Sequence, residues 1–501
     1  MKFSTLTVVF TAFLQTAVKA SGQDANTNTT INGNNTVNAD EVQQPAADMA
    51  DLITLDFMFP IVPGVSSTLE KTMDEMVAAF NALHSNIQVN AIYSGSYGQT
   101  YDKVLARIDA GDPPAVAVTN VNTMVDLHEM DAIIPLNEYV VEENGFVFMD
   151  NYYFPMFESE ILELNPDAGG HLFDGSDTVK LMGWPMMRST PVLYINEDML
   201  KEFGVDPPRN WYELIDAAKA MTTDTKKGLG IPGSWSDWIY GAFSREGGTQ
   251  VIESKTWDTV TFDSSGNTNA LSIWQRLAED GSIPVPLTPW GEAIGSFLQG
   301  EFPMLYFTTG GISKIKAGAN FTWDAIYCPA GTHGYGVTMG GGDFHIFNNV
   351  PKAQQDAAWD LIKFLTSPEN AAQWSVASGY IAVNKNSYDT ELMQAALKET
   401  PQYVVARNQL SYAYPQMMSE NINEVRQVLN DNLDALVAGN KTIAAVQADG
   451  QAGMVEAIGG VPDASGVPAP SGDAVTPPSS ATATSVCVGL LLVLGISVTF
   501  A

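Results

Sequence analysis

Between residues 53 and 118 the hydrophobic period alternates between two and about 3.6, and this alternation restricts the fold more than any other feature. Ile53, Leu55 and Phe57 alternate as a strand does. A stripe of Leu69, Met73, Met76, Val77 and Phe80 then recurs at helical spacing, opened by a Ser67–Glu70 capping-box pattern. Ile87, Val89, Ala91 and Tyr93 return to period two. Ser96 and Gln99 mark a second helix start, followed by Tyr101, Val104, Leu105 and Ile108, and PPAVAV reads as a buried strand. The β-α-β-α-β order predicts an α/β fold with a parallel sheet and helices on both faces. Ligands of such sheets bind outside the carboxyl ends of strands and at helix N-termini. The turns at Ser96–Tyr97, Asn120 and Thr308–Thr309 are therefore the places to look.

The rest of the chain frames that body. Its 501 residues suffice for two or three domains of about 150 residues. A formal charge of -33 argues against nucleic acid and anionic membrane surfaces as partners, since both need a basic face. Residues 1–20 carry Lys2, an apolar stretch over 6–14 and small residues at Val18 and Ala20, the pattern of a secretory signal peptide. Residues 21–50 are polar and read as a disordered arm. Residues 459–485, rich in Pro, Ala, Ser and Gly, read as a stalk. Small residues at Ser471, Gly472 and Ala474, a polar spacer and an apolar tail over 486–501 match a GPI-anchor signal. The tail is shorter than the ~20 residues of a membrane span. If it is removed, Cys487 leaves with it and Cys328 is a lone, buried thiol. Asn28, Asn34, Asn320 and Asn440 stand in N-x-Ser/Thr sequons and are candidate glycan sites.

Catalytic signatures are missing. The chain has no G-x-G-x-x-G after a strand, no Walker loop, no H-E-x-x-H, no C-x-x-C and no G-x-S-x-G. The glycine run at 340–342 lacks the Lys and Ser/Thr of a phosphate-cradling loop, and His84, His128, His171, His333 and His345 are scattered. No cofactor, no metal and no enzymatic activity are expected.

Five stretches, in order, resemble extracellular solute-binding proteins of bacterial ABC importers, in their carbohydrate-binding group. They are FNALHSNIQVNAIYSGSYGQTYDKVLARIDAGDPPAVAV, PMMRSTPVLYINEDMLKEFGVDPPRNWYELIDAAKAMT, FLQGEFPMLYFTTGGISKI, WDLIKFLTSPENAAQWSVASGYIAVNKNSY and NINEVRQVLNDNLDALVAGNKT. STPVLYIN and Arg426 are most similar to the members that bind glycerol-3-phosphate. The resemblance covers nearly all of 52–448. It implies a type II two-lobe fold, each lobe a mainly parallel sheet flanked by helices, closing by hinge motion. The lobes are expected at 51–186 plus 303–366 and at 187–302 plus 367–458. It further implies that Tyr97, Ser189, Thr308, Gly340, Tyr380 and Arg426 meet the ligand, with Trp235 and Trp238 on a tryptophan-bearing segment of the second lobe. Ser189 and Thr190, directly before Pro191, would line the hinge side of the cleft. Two features depart from the pattern. Asn120 stands about where the glycerol-3-phosphate binders have a glutamate, and FMFPIV replaces a polar turn after the first strand.

These residue types suit an oxygen-rich ligand. Hydroxyls hydrogen-bond at the rim of a sugar, and Tyr and Trp cover its C–H faces. Arg426 offers a five-donor fork for phosphate, sulfate or carboxylate. On the residues alone, Ser189–Thr190 is an ordinary pre-proline turn, the Trp and Tyr residues can equally be core, and Arg426 can be half of an ion pair. The expected function is capture of a sugar, oligosaccharide, polyol or glycerol-phosphate-like ligand by a monomer, with a membrane transporter or receptor as partner. The alternatives are a surface receptor, a ferric-iron binder using Tyr97 and Tyr380, or a carbohydrate-processing enzyme.

Overall fold

Gly95, Ser96 and Gln99 show how local sequence sets the architecture. Ser96 Oγ accepts from the Gln99 amide and the Gln99 side chain accepts from the Ser96 amide, so a complete capping box starts the second helix where the sequence places it. The computed structural model describes residues 52–61, 68–143, 152, 161–163, 179–253 and 257–459. The expected leader, arm, stalk beyond 459 and tail, with Asn28, Asn34, Cys487 and Ser67, lie outside the described residues.

The chain runs through β1 (Ile53–Phe59), α1 (Leu69–Leu83), β2 (Ile87–Tyr93), α2 (Tyr97–Asp109) and β3 (Val116–Asn120). All five residues of the α1 stripe are buried. The three strands pair in parallel in the order β2-β1-β3, as the alternating periods predict. β4 (Trp184–Ser189) and β5 (Pro191–Asn196) follow, separated by Thr190 alone. Next come α3 (Ser236–Glu246), α4 (Trp290–Leu298), β6 (Met304–Thr308), β7 (Trp323–Ile326) and β8 (Gly340–Ile346). The body ends with α5 (Lys352–Leu365), α6 (Pro368–Ser378), α7 (Ile422–Val437) and a helix over Ile443–Ala457.

Two sheets divide these elements. The first has the order β2-β1-β3-β8-β4, with β8 antiparallel to both neighbours. The second has the order β6-β5-β7, with β5 antiparallel to both. The two-lobe α/β class holds, but strand sense is mixed in the first lobe and antiparallel in the second.

The lobe boundaries need correction. β6 and β7 pair with β5, so 304–326 belongs to the second lobe and not to the first. Residues 187–189 stay in the first sheet, and α6 packs on α1 in the first lobe's core. A short buried run such as Met304–Phe307 carries no local mark of which sheet it will join. That choice is made by pairing with a distant strand. Ser189 and Pro191 lie in different sheets, so Thr190 is one crossing and Met339 a second. Gln409 Nε2 donates to Thr190 Oγ1 and to the Pro191 carbonyl, both at 3.0 Å, which ties the returning chain to the first crossing.

Each lobe has its own core. Trp184 meets Trp359 edge-on at 5.2 Å in the first, and Trp274 meets Phe243 edge-on at 5.8 Å in the second. Cys328 is buried, as expected. The second core also buries Glu246, whose Oε2 accepts from Trp211 Nε1 at 2.8 Å. Burial pushes the Glu246 carboxyl well above its ordinary range. A raised folded pKa means that stability falls as pH climbs above the unfolded carboxyl's value toward the folded one. Glu246→Gln keeps an acceptor for Trp211 and removes the titration. Its melting temperature is expected to exceed that of the parent at pH 8 and to match it near pH 4, which a pH series of thermal melts checks.

Candidate functional site

The turn chemistry around Gly95 carries the first site residue. Gly95 adopts φ +102°, which a side chain disfavours, and lets the capping box place Tyr97 at the first position of α2. The buried Tyr97 hydroxyl lies 3.3 Å from Met187 Sδ. Asn120 ends β3, and its Oδ1 accepts from the Asn122 amide at 3.2 Å and from Gln416 Nε2. Ser189 ends β4 opposite Gly340 in β8, and its hydroxyl makes no hydrogen bond among the described residues. Thr308 ends β6, with Oγ1 accepting from the Gly310 amide at 3.2 Å. Tyr380 follows Gly379, whose φ of +84° ends α6. Trp235 caps α3 and Trp238 lies in its first turn, while Trp290 opens α4 after Pro289.

These positions converge from both lobes on one cleft. Tyr97, Asn120, Ser189, Trp235, Trp238, Thr308, Gly340 and Tyr380 all line it, together with Trp290 and Gly341. One wall is aromatic. The Trp290 ring lies 6.2 Å from both Trp235 and Trp238 and 4.2 Å from Phe307. Trp238 Nε1 donates to the Met339 carbonyl at 3.1 Å, which fixes this ring to the second crossing.

The glycine run over 340–342 now has a reason. A Cβ on Gly340 would lie 2.8 Å from the Trp238 ring, and one on Gly341, at φ +125°, would lie 1.6 Å from the Met187 carbonyl. The run lets β8 pass close to the aromatic wall and to β4. Gly340 lines the cleft, and its lack of a side chain makes room for the Trp238 ring.

Arg426 is placed differently from expectation. It is not among the cleft-lining residues. Its Nε and Nη2 donate to Asp237 Oδ2 at 2.8 Å and Oδ1 at 3.1 Å, and its guanidinium lies 4.2 Å from the centre of the Trp235 ring. Arg426 therefore supports Trp235 and pairs with a carboxylate from the first turn of α3, where the helix N-terminus favours an acid. Asp237 went unremarked in the sequence because its partner is 189 residues away.

Trp290 and Gly341 also escaped sequence reading. Trp290 left a usable mark, since an aromatic directly after a proline at a helix start repeats the placement of Trp235 at a helix N-terminus. Gly341 left none, because its need for glycine comes from a backbone in another strand.

Burial, with Tyr380 nearby, pushes the Tyr97 phenol well up, and burial pushes Tyr380 to about 12. Both phenols are neutral hydrogen-bonding groups at physiological pH. Among the described residues, no histidine or carboxylate lines the cleft and no group of three or more His, Cys, Asp or Glu could hold a metal ion.

Two α/β lobes, joined by repeated crossings and facing each other over a hydroxyl-rich aromatic cleft, define a hinge-type binding protein. The chain belongs to the bacterial extracellular solute-binding protein family, whose model matches residues 75–402. The sn-glycerol-3-phosphate-binding periplasmic protein UgpB of Escherichia coli K12 is 23% identical over 411 residues, covering 76% of this chain and 88% of that protein. UgpB from Mycobacterium tuberculosis, solved in complex with glycerophosphocholine, is 18% identical with a TM-score of 0.68, covering 81% of this chain and 98% of that one. The GacH receptor of Streptomyces glaucescens, solved in unliganded form and with acarbose, is 17% identical with a TM-score of 0.67, over 81% and 99% of the two chains.

Proposed function

We propose that this chain captures a small polyhydroxylated solute between its lobes and holds it by hinge closure. One observation carries the reading: side chains from both lobes, three of them tryptophans, face one cleft at the ends of strands and helices. Aromatic faces cover the apolar side of a sugar or polyol while Ser189, Thr308, Asn120 and the two phenols serve its hydroxyls. A ligand that touches both lobes binds the closed form better than the open one and so shifts the population toward it. The bound solute leaves unaltered, delivered to a membrane transporter or receptor, as the ABC-importer relatives suggest.

A thermal-shift panel of monosaccharides, disaccharides, polyols and glycerol-3-phosphate tests this. A ligand at 100 times its dissociation constant adds about 2.7 kcal/mol of stability. Recovery of the unchanged ligand by mass spectrometry supports binding without turnover, and a modified product would favour an enzyme. No shift with any compound would favour a surface receptor without a small ligand.

The chain acts at the cell surface in this reading, held by a GPI anchor. The small-residue site, spacer and apolar tail support it, while the curated relatives are bacterial periplasmic proteins. Release of the protein from intact cells by a phosphatidylinositol-specific phospholipase is the expected result. Asn320 and Asn440 are exposed and can accept glycans. Peptide N-glycosidase is expected to lower the apparent mass, and less so after Asn320→Gln and Asn440→Gln.

A further inference from the structure

We infer that the cleft selects an uncharged solute and discriminates against phosphorylated or carboxylated ones, with Asp237 as the specificity-determining residue. This rests on the solute-binding reading above. The first ground is the lining itself. Among the described residues it comprises two tyrosines, three tryptophans, Asn120, Ser189, Thr308 and two glycines, and none of these carries a charge. The burial that raises the tyrosines keeps them neutral. A phosphate monoester brings about -1.5 to -2 charges at pH 7. Closing the lobes over it strips its water, and an unpaired buried charge is strongly unfavourable.

The second ground is the state of Arg188 and Arg426, each of which neighbours a cleft-lining residue. Arg188 precedes Ser189, and its Nη2 donates to Asp343 while its Nη1 donates to the Met187 and Gly342 carbonyls at 3.0 and 3.1 Å. Arg426 lies behind the Trp235 ring and is held by Asp237 through two of its nitrogens. Asp237 accepts a third bond from Asn430 Nδ2 at 3.1 Å, and its amide donates to Asn430 Oδ1 at 2.9 Å. The carboxylate is thus fixed before any ligand arrives. Each arginine has its own carboxylate, so neither has a positive charge to spare for an anion. The formal charge of -33 adds a field that repels anions at long range.

Asp237 has a double effect in this arrangement. It removes Arg426 as an anion receptor, and it fixes the guanidinium as a backing plate for Trp235. The same pair that discourages phosphate therefore stiffens the ring against which a sugar would stack.

Isothermal titration of the purified protein with glycerol, glycerol-3-phosphate and a panel of neutral saccharides tests the inference. The parent protein is expected to bind at least one neutral compound and to bind glycerol-3-phosphate no better than glycerol. Asp237→Asn leaves Arg426 one ring away from the cleft with its charge unmatched. Across that ring the freed charge attracts the phosphate through space, and affinity for glycerol-3-phosphate is expected to rise by about 10-fold. That gain should shrink between 0.05 and 0.5 M salt and vanish in Asp237→Asn/Arg426→Gln. Tight, salt-sensitive binding of glycerol-3-phosphate by the parent protein would overturn the inference and leave the solute-binding reading standing. A folded Asp237→Asn protein that gains nothing would overturn Asp237's role. The parent comparison decides the question of charge even if Asp237→Asn melts early. Failure to bind any compound, neutral or charged, would overturn both readings.

Discussion

Trp290→Ala is expected to abolish solute capture and to cost about 3–5 kcal/mol of stability, the range for deleting a buried large aromatic. The side chain is only 9% exposed, yet its ring lines the cleft. It touches three aromatic partners, and two of them, Trp235 and Trp238, share the cleft wall. Removing it opens a void beneath both rings and takes away the surface that sets their angles. Trp290→Phe separates the two effects. Trp290 Nε1 has no hydrogen-bond partner among the described residues, so losing it sacrifices no bond, and the phenyl ring keeps most of the packing. The Phe variant is therefore expected to stay within about 1.5 kcal/mol of the parent and to retain measurable binding. Denaturant titrations with and without a ligand found in the panel give both numbers. A Trp290→Ala protein that folds and binds unchanged would mean that this cleft is not where the solute sits.

Trp290 also shows how legible the site was. Residues 53–118 announce the first lobe's parallel strands because period, capping box and strand runs are local. The strand order points to the strand ends near Tyr97, Asn120 and Thr308, whereas Ser189 and Tyr380 were legible only through the family resemblance. Trp238 and Gly340 explain each other only in three dimensions, through a contact 2.8 Å from a Cβ that is not there. Arg426 was legible as a conspicuous cation but not as a partner of Asp237, because a helix in one part of the chain says nothing about which carboxylate a distant helix will present. The membership of β6 in the second sheet was hidden for the same reason. Information held in one turn can be read from a sequence, whereas information held in the pairing of two distant elements cannot.

The largest effect outside the cleft is expected at Asp343→Ala, with a loss of about 3–5 kcal/mol. Arg188 and Asp343 are 1% and 0% exposed and pair across the adjacent strands β4 and β8, directly below the residues that open onto the cleft. Alanine would take the Asp343 carboxylate away from a buried guanidinium that also donates to the Met187 and Gly342 carbonyls. The cost is that of removing the carboxylate beside a buried charge rather than the value of the pair, so replacing both residues together, as Arg188→Met/Asp343→Leu, should recover most of the loss. Chemical denaturation of the two variants decides between a charge penalty and a packing penalty; if the double variant is as unstable as the single, packing is responsible. His345 adds a pH signature to this layer. Its Nδ1 donates to the Met182 carbonyl at 3.0 Å, and burial lowers its pKa below the ordinary value of about 6.5. A depressed histidine pKa means that the unfolded chain takes up the proton first. This contribution is complete above about pH 6.5 and is lost as pH falls toward the folded value. The parent protein is therefore expected to lose melting temperature on acidification through that window, and His345→Gln to lose less. Because β8 carries Asp343 and His345 in the same strand as Gly340, acid that loosens this layer should weaken solute capture before the second lobe unfolds. Binding titrations run alongside melts from pH 7 to pH 5 would show affinity falling first, and parallel loss of both would place the weak point elsewhere.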